Sequence, residues 1–230
     1  MTDPRIGLMA EVAIWPLGLQ ASGAPIQWMA MEQSSNLPEE ILEELSVEFG
    51  CADWFRTSWA VLEAADLGVA SRRKRTFMLA SRYRWVDITP PAAPLPVTTM
   101  AEALGWDEGE RINTRGQRPV DPARGRAKGG NCFPADKPSW CLTGKTYTWV
   151  RESDGKRLTS AEAGTLVPFR ATYPWQGSRS SQFQQAGDVV CPAVAAYVLA
   201  VLHGVTGSHD SATTSPGSTT TTNCGATCTT

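Results

Sequence analysis

Apolar and polar positions in the first third of the chain fall into two alternating regimes. Residues 25–33 (PIQWMAMEQ) form a short apolar run closed by a polar cluster, the signature of a buried strand. In residues 36–50 (NLPEEILEELSVEFG), Ile41, Leu42, Leu45, Val47 and Phe49 recur at helical intervals. Glu39 and Glu40 suit the positive end of that helix, and Gly50 suits its stop. A second strand is predicted over residues 75–82 (RTFMLASR), where the basic run Arg72-Arg73-Lys74-Arg75 stands directly against the apolar Phe77-Met78-Leu79-Ala80. Strands alternating with helices predict a mainly parallel sheet covered on both faces over residues 1–83.

The pattern breaks over residues 84–156. Segments such as TPPAAPLPVTT, RGQRPVDPARGRAKGG and GGNCFPADKPSW are rich in Pro, Gly and Arg, so little regular helix is predicted. Arg111, Arg115, Arg118, Arg124, Arg126 and Lys128 concentrate positive charge there, and the glycines allow close approach to a partner. A solvated loop would carry the same residues. Helical spacing returns over residues 157–204. Thr159 with Glu162 three residues on has capping-box spacing, and AVAAYVLAVL predicts a strong final helix. Residues 205–230 are low-complexity, Ser- and Thr-rich, and read as disordered.

An apolar share of 42% over 230 residues suffices for a core. The net charge of −2 argues against non-specific coating of nucleic acid by the whole surface, but leaves room for a local basic patch. No signal peptide is read at the start, and the apolar run 189–202, interrupted by Pro192, falls short of a membrane span, so a cytoplasmic protein without a membrane partner is expected. The six cysteines form no Cys-x-x-Cys pair and accompany only two histidines, His203 and His209, so no metal site is expected.

The phosphate-loop, dinucleotide-loop and hydrolase-elbow patterns are missing. Chemistry is therefore expected where loops meet at strand ends: Glu32 after the first strand, the arginines heading a later one, and QQAGDVVCPAVA entering the last helix. Read from the residues alone, this is an α/β domain with a basic insertion suited to nucleic acid.

The blocks DPRIGLMAEVAIWPL, WMAMEQS, VLEAADLGVASRRKRTFMLASR, KPSWCLTGK, RLTSAEAGTLVPF and QFQQAGDVVCPAVAAYVLAVL, in that order, resemble the C-terminal part of a DNA (cytosine-5) methyltransferase of phage or actinobacterial type, over roughly residues 3 to 203. The resemblance implies an α/β fold: a partial doubly wound, Rossmann-like methyltransferase sheet, with residues 84–156 as a small irregular Pro/Gly/Arg-rich target-recognition domain. It also implies S-adenosylmethionine as cofactor, double-stranded DNA as partner and a restriction-modification setting.

Block by block, AMEQS resembles the family's Glu-Asn-Val motif, which makes Glu32 the carboxyl group that contacts the ring nitrogen of a flipped cytosine. The alternative is a carboxylate capping the following helix. SRRKR resembles Gln-x-Arg-x-Arg, with Arg73 and Arg75 at its arginines and Ser71 where Gln is usual; these would point into the cleft to hold phosphate and orient the catalytic groups. Arg157 and Glu162 match charged positions of the block that organises the recognition domain. QFQQAGDVV resembles Gly-Asn-(Ala/Ser)-Val, so Gly187, Asp188, Val189 and Val190 are the implied cofactor contacts, with Asp188 replacing Asn. Arg111, Arg115, Arg118, Arg124, Arg126 and Lys128 are the implied DNA contacts.

The family's nucleophile is a Cys that follows Pro, and none of these six cysteines does so; its glycine-rich cofactor loop has no counterpart here either. Two readings follow. In one, this is the C-terminal portion of a split enzyme completed by an N-terminal half polypeptide. In the other, it is a catalytically inactive remnant or decoy that binds DNA.

Overall fold

The computed structural model describes residues 4–55, 57–114, 120–121, 123, 126–127 and 132–204. A 3-10 turn, Pro4–Ala10, leads into α1 (Glu11–Ala21), followed by β1 (Trp28–Ser34), α2 (Glu39–Cys51), β2 (Ser58–Glu63) and β3 (Lys74–Ser81). The helix expected over 36–50 and the strands over 25–33 and 75–82 form close to their expected bounds. Leu42, Leu45 and Phe49 are the buried stripe of α2, as their spacing requires.

The sheet order is β1-β3-β2, and β3 runs antiparallel to both neighbours. The expected parallel pairing is therefore corrected: β1 and β2 run the same way but do not touch, and β3 lies between them. The cause is chain length. A parallel crossover needs a dozen or more residues, whereas β2 reaches β3 through the short 3-10 turn Ala64–Leu67 and a left-handed Gly68.

Alternation along β3 splits its side chains between two cores. Met78 and Ala80 join Met31 and the inner stripe of α2, with Met9 and Ala13 from the N-terminal helices. Phe77 and Leu79 face the other way, into a larger cluster completed by the C-terminal helices. Helices thus cover both faces of the sheet.

The middle of the chain is short elements: α3 (Met100–Leu104), β4 (Arg111–Asn113), β5 (Val120–Asp121), β6 (Arg126–Ala127), β7 (Cys132–Pro134) and β8 (Val150–Arg151). A second sheet, β7-β4-β8, carries Ile112 into the larger cluster beside Met100, Ala135 and Trp149. The C-terminal part is α4 (Ser160–Leu166), α5 (Arg179–Asp188) and α6 (Pro192–His203). Thr159 and Glu162 form the expected capping box at the start of α4. Thr99 and Glu102 build a second one on α3.

By length and composition the 25 residues Arg179–His203 could cross a bilayer, which the shorter apolar run had not suggested. Pro192 opens α6 as a separate helix from α5, and Val194, Val198, Val201 and Leu202 of α6 are buried in the protein. The expected tail, 205–230, lies outside the described residues, with His209, Cys224 and Cys228.

Candidate functional site

Glu32, Arg73 and Arg75 converge on one face of the sheet. The register pairs Glu32 with Phe77, so Glu32 shares a face with Phe77 and with the residues two and four before it, Arg75 and Arg73. Across β3, Leu62 pairs with Arg75 and joins the same face. The return from α5 to α6 closes the cleft over them with Val190, Cys191 and Val194. The cleft encloses about 10 Å³, space for about one water.

Charge in the cleft is tightly arranged. Arg75 Nε lies 2.8 Å and Arg73 Nη2 3.8 Å from Glu32 Oε1. That oxygen is buried and accepts no well-aligned hydrogen bond: Arg73 stands beyond hydrogen-bond distance, and Arg75 is close enough for an ion pair without an aligned N–H. The alternative role for Glu32, a cap on α2, is not what forms. Pro38 occupies the N-cap position and no side chain caps it.

Arg73 is only 5% exposed and supports the cleft from beneath. Its backbone N–H donates to Glu63 Oε1 at 2.6 Å. Its guanidinium donates to the carbonyl of Gly187 and reaches Cys141 Sγ at 3.9 Å. Arg75, at the rim, also donates to the Lys74 carbonyl. The basic run thus has two uses: alternate residues point inward to Glu32, and Arg72 and Lys74 remain exposed.

The four implied cofactor contacts divide. Gly187 is buried against residues 142–143, where an added Cβ would stand 2.8 Å from the Leu142 carbonyl oxygen, so this position demands glycine for close approach. Asp188 is exposed and accepts a hydrogen bond from Gln184 Nε2 at 2.7 Å. Val189 packs on the core and Val190 lines the cleft. Of the implied DNA contacts, Arg111 is exposed but spoken for: it donates to Cys132 and stands 3.1 Å from Glu152 Oε2. Arg126 lies on β6, while Arg115, Arg118, Arg124 and Lys128 lie outside the described residues.

Sequence reasoning placed the stretch holding Cys191 at the site without singling out its thiol, and missed Cys141, which reaches Arg73. Nothing local announces the Cys141 contact, since it joins residues 68 apart in the chain. Burial pushes the Cys191 thiol up to about 11 even though Arg73 pulls it the other way. It is a neutral thiol at physiological pH and a poor nucleophile there. Alkylation at pH 8 is expected to label the exposed Cys51 quickly and Cys191 only slowly, with the Cys191 rate climbing as pH approaches 11. Equal labelling rates measured by mass spectrometry at pH 8 would contradict this burial.

No family model matches the sequence, and no curated protein matches it. Solved structures do. The chain superposes on the Entamoeba histolytica methyltransferase EhMeth with a TM-score of 0.59 at 13% identity, over 88% of this chain and 70% of that one. It superposes on Spodoptera frugiperda DNMT2 at 0.58 and 14% identity, over 83% and 70%. A putative DNA modification methyltransferase encoded within an Escherichia coli prophage gives 0.54 and 14%, over 77% and 69%. The chain shares the fold of these structures. At this identity the likeness extends to the fold alone.

Proposed function

We propose that this protein is a cytosine methyltransferase-type protein that transfers a methyl group from S-adenosylmethionine to C5 of a flipped cytosine, with a second polypeptide supplying the thiolate and the cofactor loop. The carrying observation is Glu32 Oε1, a buried carboxylate oxygen held between two guanidinium groups with no aligned donor. Such an oxygen is ready to accept an N–H from a base edge, and the arginines hold the carboxylate in place as charge develops on the ring. Arg75, a quarter exposed at the rim, is the side chain an entering nucleotide displaces. The doubly wound arrangement and the duplex DNA substrate belong to this reading.

The second polypeptide has a place to dock. β1 is an edge strand among the described residues, its outer side carrying unpaired backbone groups between Trp28 and Ser34. An apolar groove of about 620 Å³ runs between α1 and α2, lined by Met9, Ala13, Leu17, Ile41 and Leu45. Ile14 and Trp15 of α1 stand more than half exposed next to it. A strand added to β1 would extend the sheet, and an apolar face of the same partner would fill the groove.

The Arg82 N–H donates to the Gln27 carbonyl, and continuing that register turns the N–H of Ala30 outward from β3. Mixed with a methyltransferase N-terminal half, the chain is expected to form a complex that binds S-adenosylmethionine, as followed by calorimetry. Ala30→Pro removes an outward donor at an exposed position and is expected to weaken the complex about 100-fold. Failure of the unmodified chain to form such a complex would overturn the two-polypeptide reading. The inactive DNA-binding remnant remains the second reading, favoured by the exposed, diverted Asp188.

A further inference from the structure

A second pocket lies on the opposite side of the basic run from the Glu32 cleft. Residues 70–72 are tied to residue 139: the Arg72 N–H donates to the Ser139 carbonyl at 2.8 Å, and the Ser139 N–H donates to Ala70 at 2.8 Å. This brings Trp140 beneath Arg72, whose guanidinium carbon sits 6.0 Å from the indole centroid. Phe133 packs against the same indole in a tilted arrangement, at 5.2 Å between centroids. Between them opens a pocket of about 170 Å³ with a floor of buried Met100, Ile112 and Trp149 and a rim of Arg72, Lys137 and Trp140.

The composition of this pocket is unusual for a packing defect. Trp140 leaves half its surface to solvent. Arg72 and Lys137 are exposed, and neither has a carboxylate partner among the described residues. Asp136, the sequence neighbour of Lys137, accepts from the Gly109 N–H at 3.1 Å. A half-exposed indole beside a cation without a carboxylate partner, with a second cation on the same rim, is the combination that stacks a base and holds its phosphate.

We infer that Arg72, Lys137 and Trp140 form a stacking site for one unpaired nucleobase of a nucleic-acid strand, separate from the Glu32 cleft. This rests on the proposed nucleic-acid substrate and adds a contact that none of the implied DNA-binding arginines supplies. The segment 139–141 joins the two places, because Trp140 stands at the rim of this pocket while Cys141 touches Arg73 in the cleft. A strand whose target base enters the cleft would lay a nearby base on Trp140.

The test is fluorescence polarisation of the full chain with labelled single-stranded DNA and RNA oligonucleotides, across a range of salt. Trp140→Ala is expected to weaken binding about 10-fold, and Arg72→Ala with Lys137→Ala to flatten the salt dependence by about two phosphates. Tyr173→Ala, at another half-exposed aromatic, should change neither. The DNA and RNA arms report which strand the site takes. Unchanged affinity in Trp140→Ala, with circular dichroism showing a folded chain, overturns this site and leaves the methyl-transfer reading standing. Trp140-dependent binding by a reconstituted complex that transfers no methyl group overturns that reading and keeps the site.

Discussion

Arg73→Ala is expected to destabilise the full chain by about 3–5 kcal/mol in urea unfolding, the cost of removing one member of a buried charged network. Arg73 holds three parts of the fold at once: Glu32 on β1, Cys141 in the segment after β7 and the Gly187 carbonyl at the end of α5. Truncation leaves a buried carbonyl without its donor and shifts the whole burden of Glu32 onto Arg75. For a domain whose total stability is about 5–15 kcal/mol, that is a large fraction. Arg75→Ala should cost about 1 kcal/mol, because Arg75 is a quarter exposed and water replaces it. Equal losses from the two variants would show that Arg73 is not the keystone of the cleft.

Glu32→Gln is expected to lower methyl transfer by the reconstituted complex by about 10²–10⁴-fold, the usual range for a positioned acid–base group. The substitution preserves volume and removes the charge that the guanidinium groups orient. Glu63→Gln is the matched comparison, since Glu63 also bonds Arg73, through its backbone N–H, yet does not line the cleft. If Glu32 serves only to anchor arginines, the two variants should lose similar activity. A selective loss at Glu32, with partner affinity unchanged, identifies a group that touches the reacting base.

What could be read from the sequence was local. The helix over 36–50, the capping box of Thr159 and Glu162 and the final helix follow from spacing within a few residues, and all form. The two-residue spacing of Arg73 and Arg75 likewise puts them on one face of a strand, and their meeting with Glu32 follows once β1 and β3 pair. The strand order was not legible in this way. β2 (SWAVLE) lacks a clean alternation of apolar and polar residues, and without it the short link to β3 could not signal an antiparallel return.

Distant contacts account for the rest. The Arg73 to Gly187 hydrogen bond spans 114 residues, and no local pattern predicts it. Arg111 reads as a free cation in a basic segment, yet Glu152, brought alongside when β4 pairs with β8, takes it up. Arg72 was legible as part of a basic run, but its aromatic partner arrives from residue 140 by a bridge between Ser71 and Ser139.

The most direct test of the central claim is incorporation of labelled methyl groups from S-adenosylmethionine into duplex DNA, by the chain alone and then mixed with an N-terminal half that carries the glycine-rich loop and the Pro-Cys motif. The account predicts silence from the chain alone and transfer by the mixture, at C5 of cytosine. A mixture that forms the complex, binds cofactor and DNA, and still transfers nothing would contradict it and leave a DNA-binding protein with a methyltransferase fold.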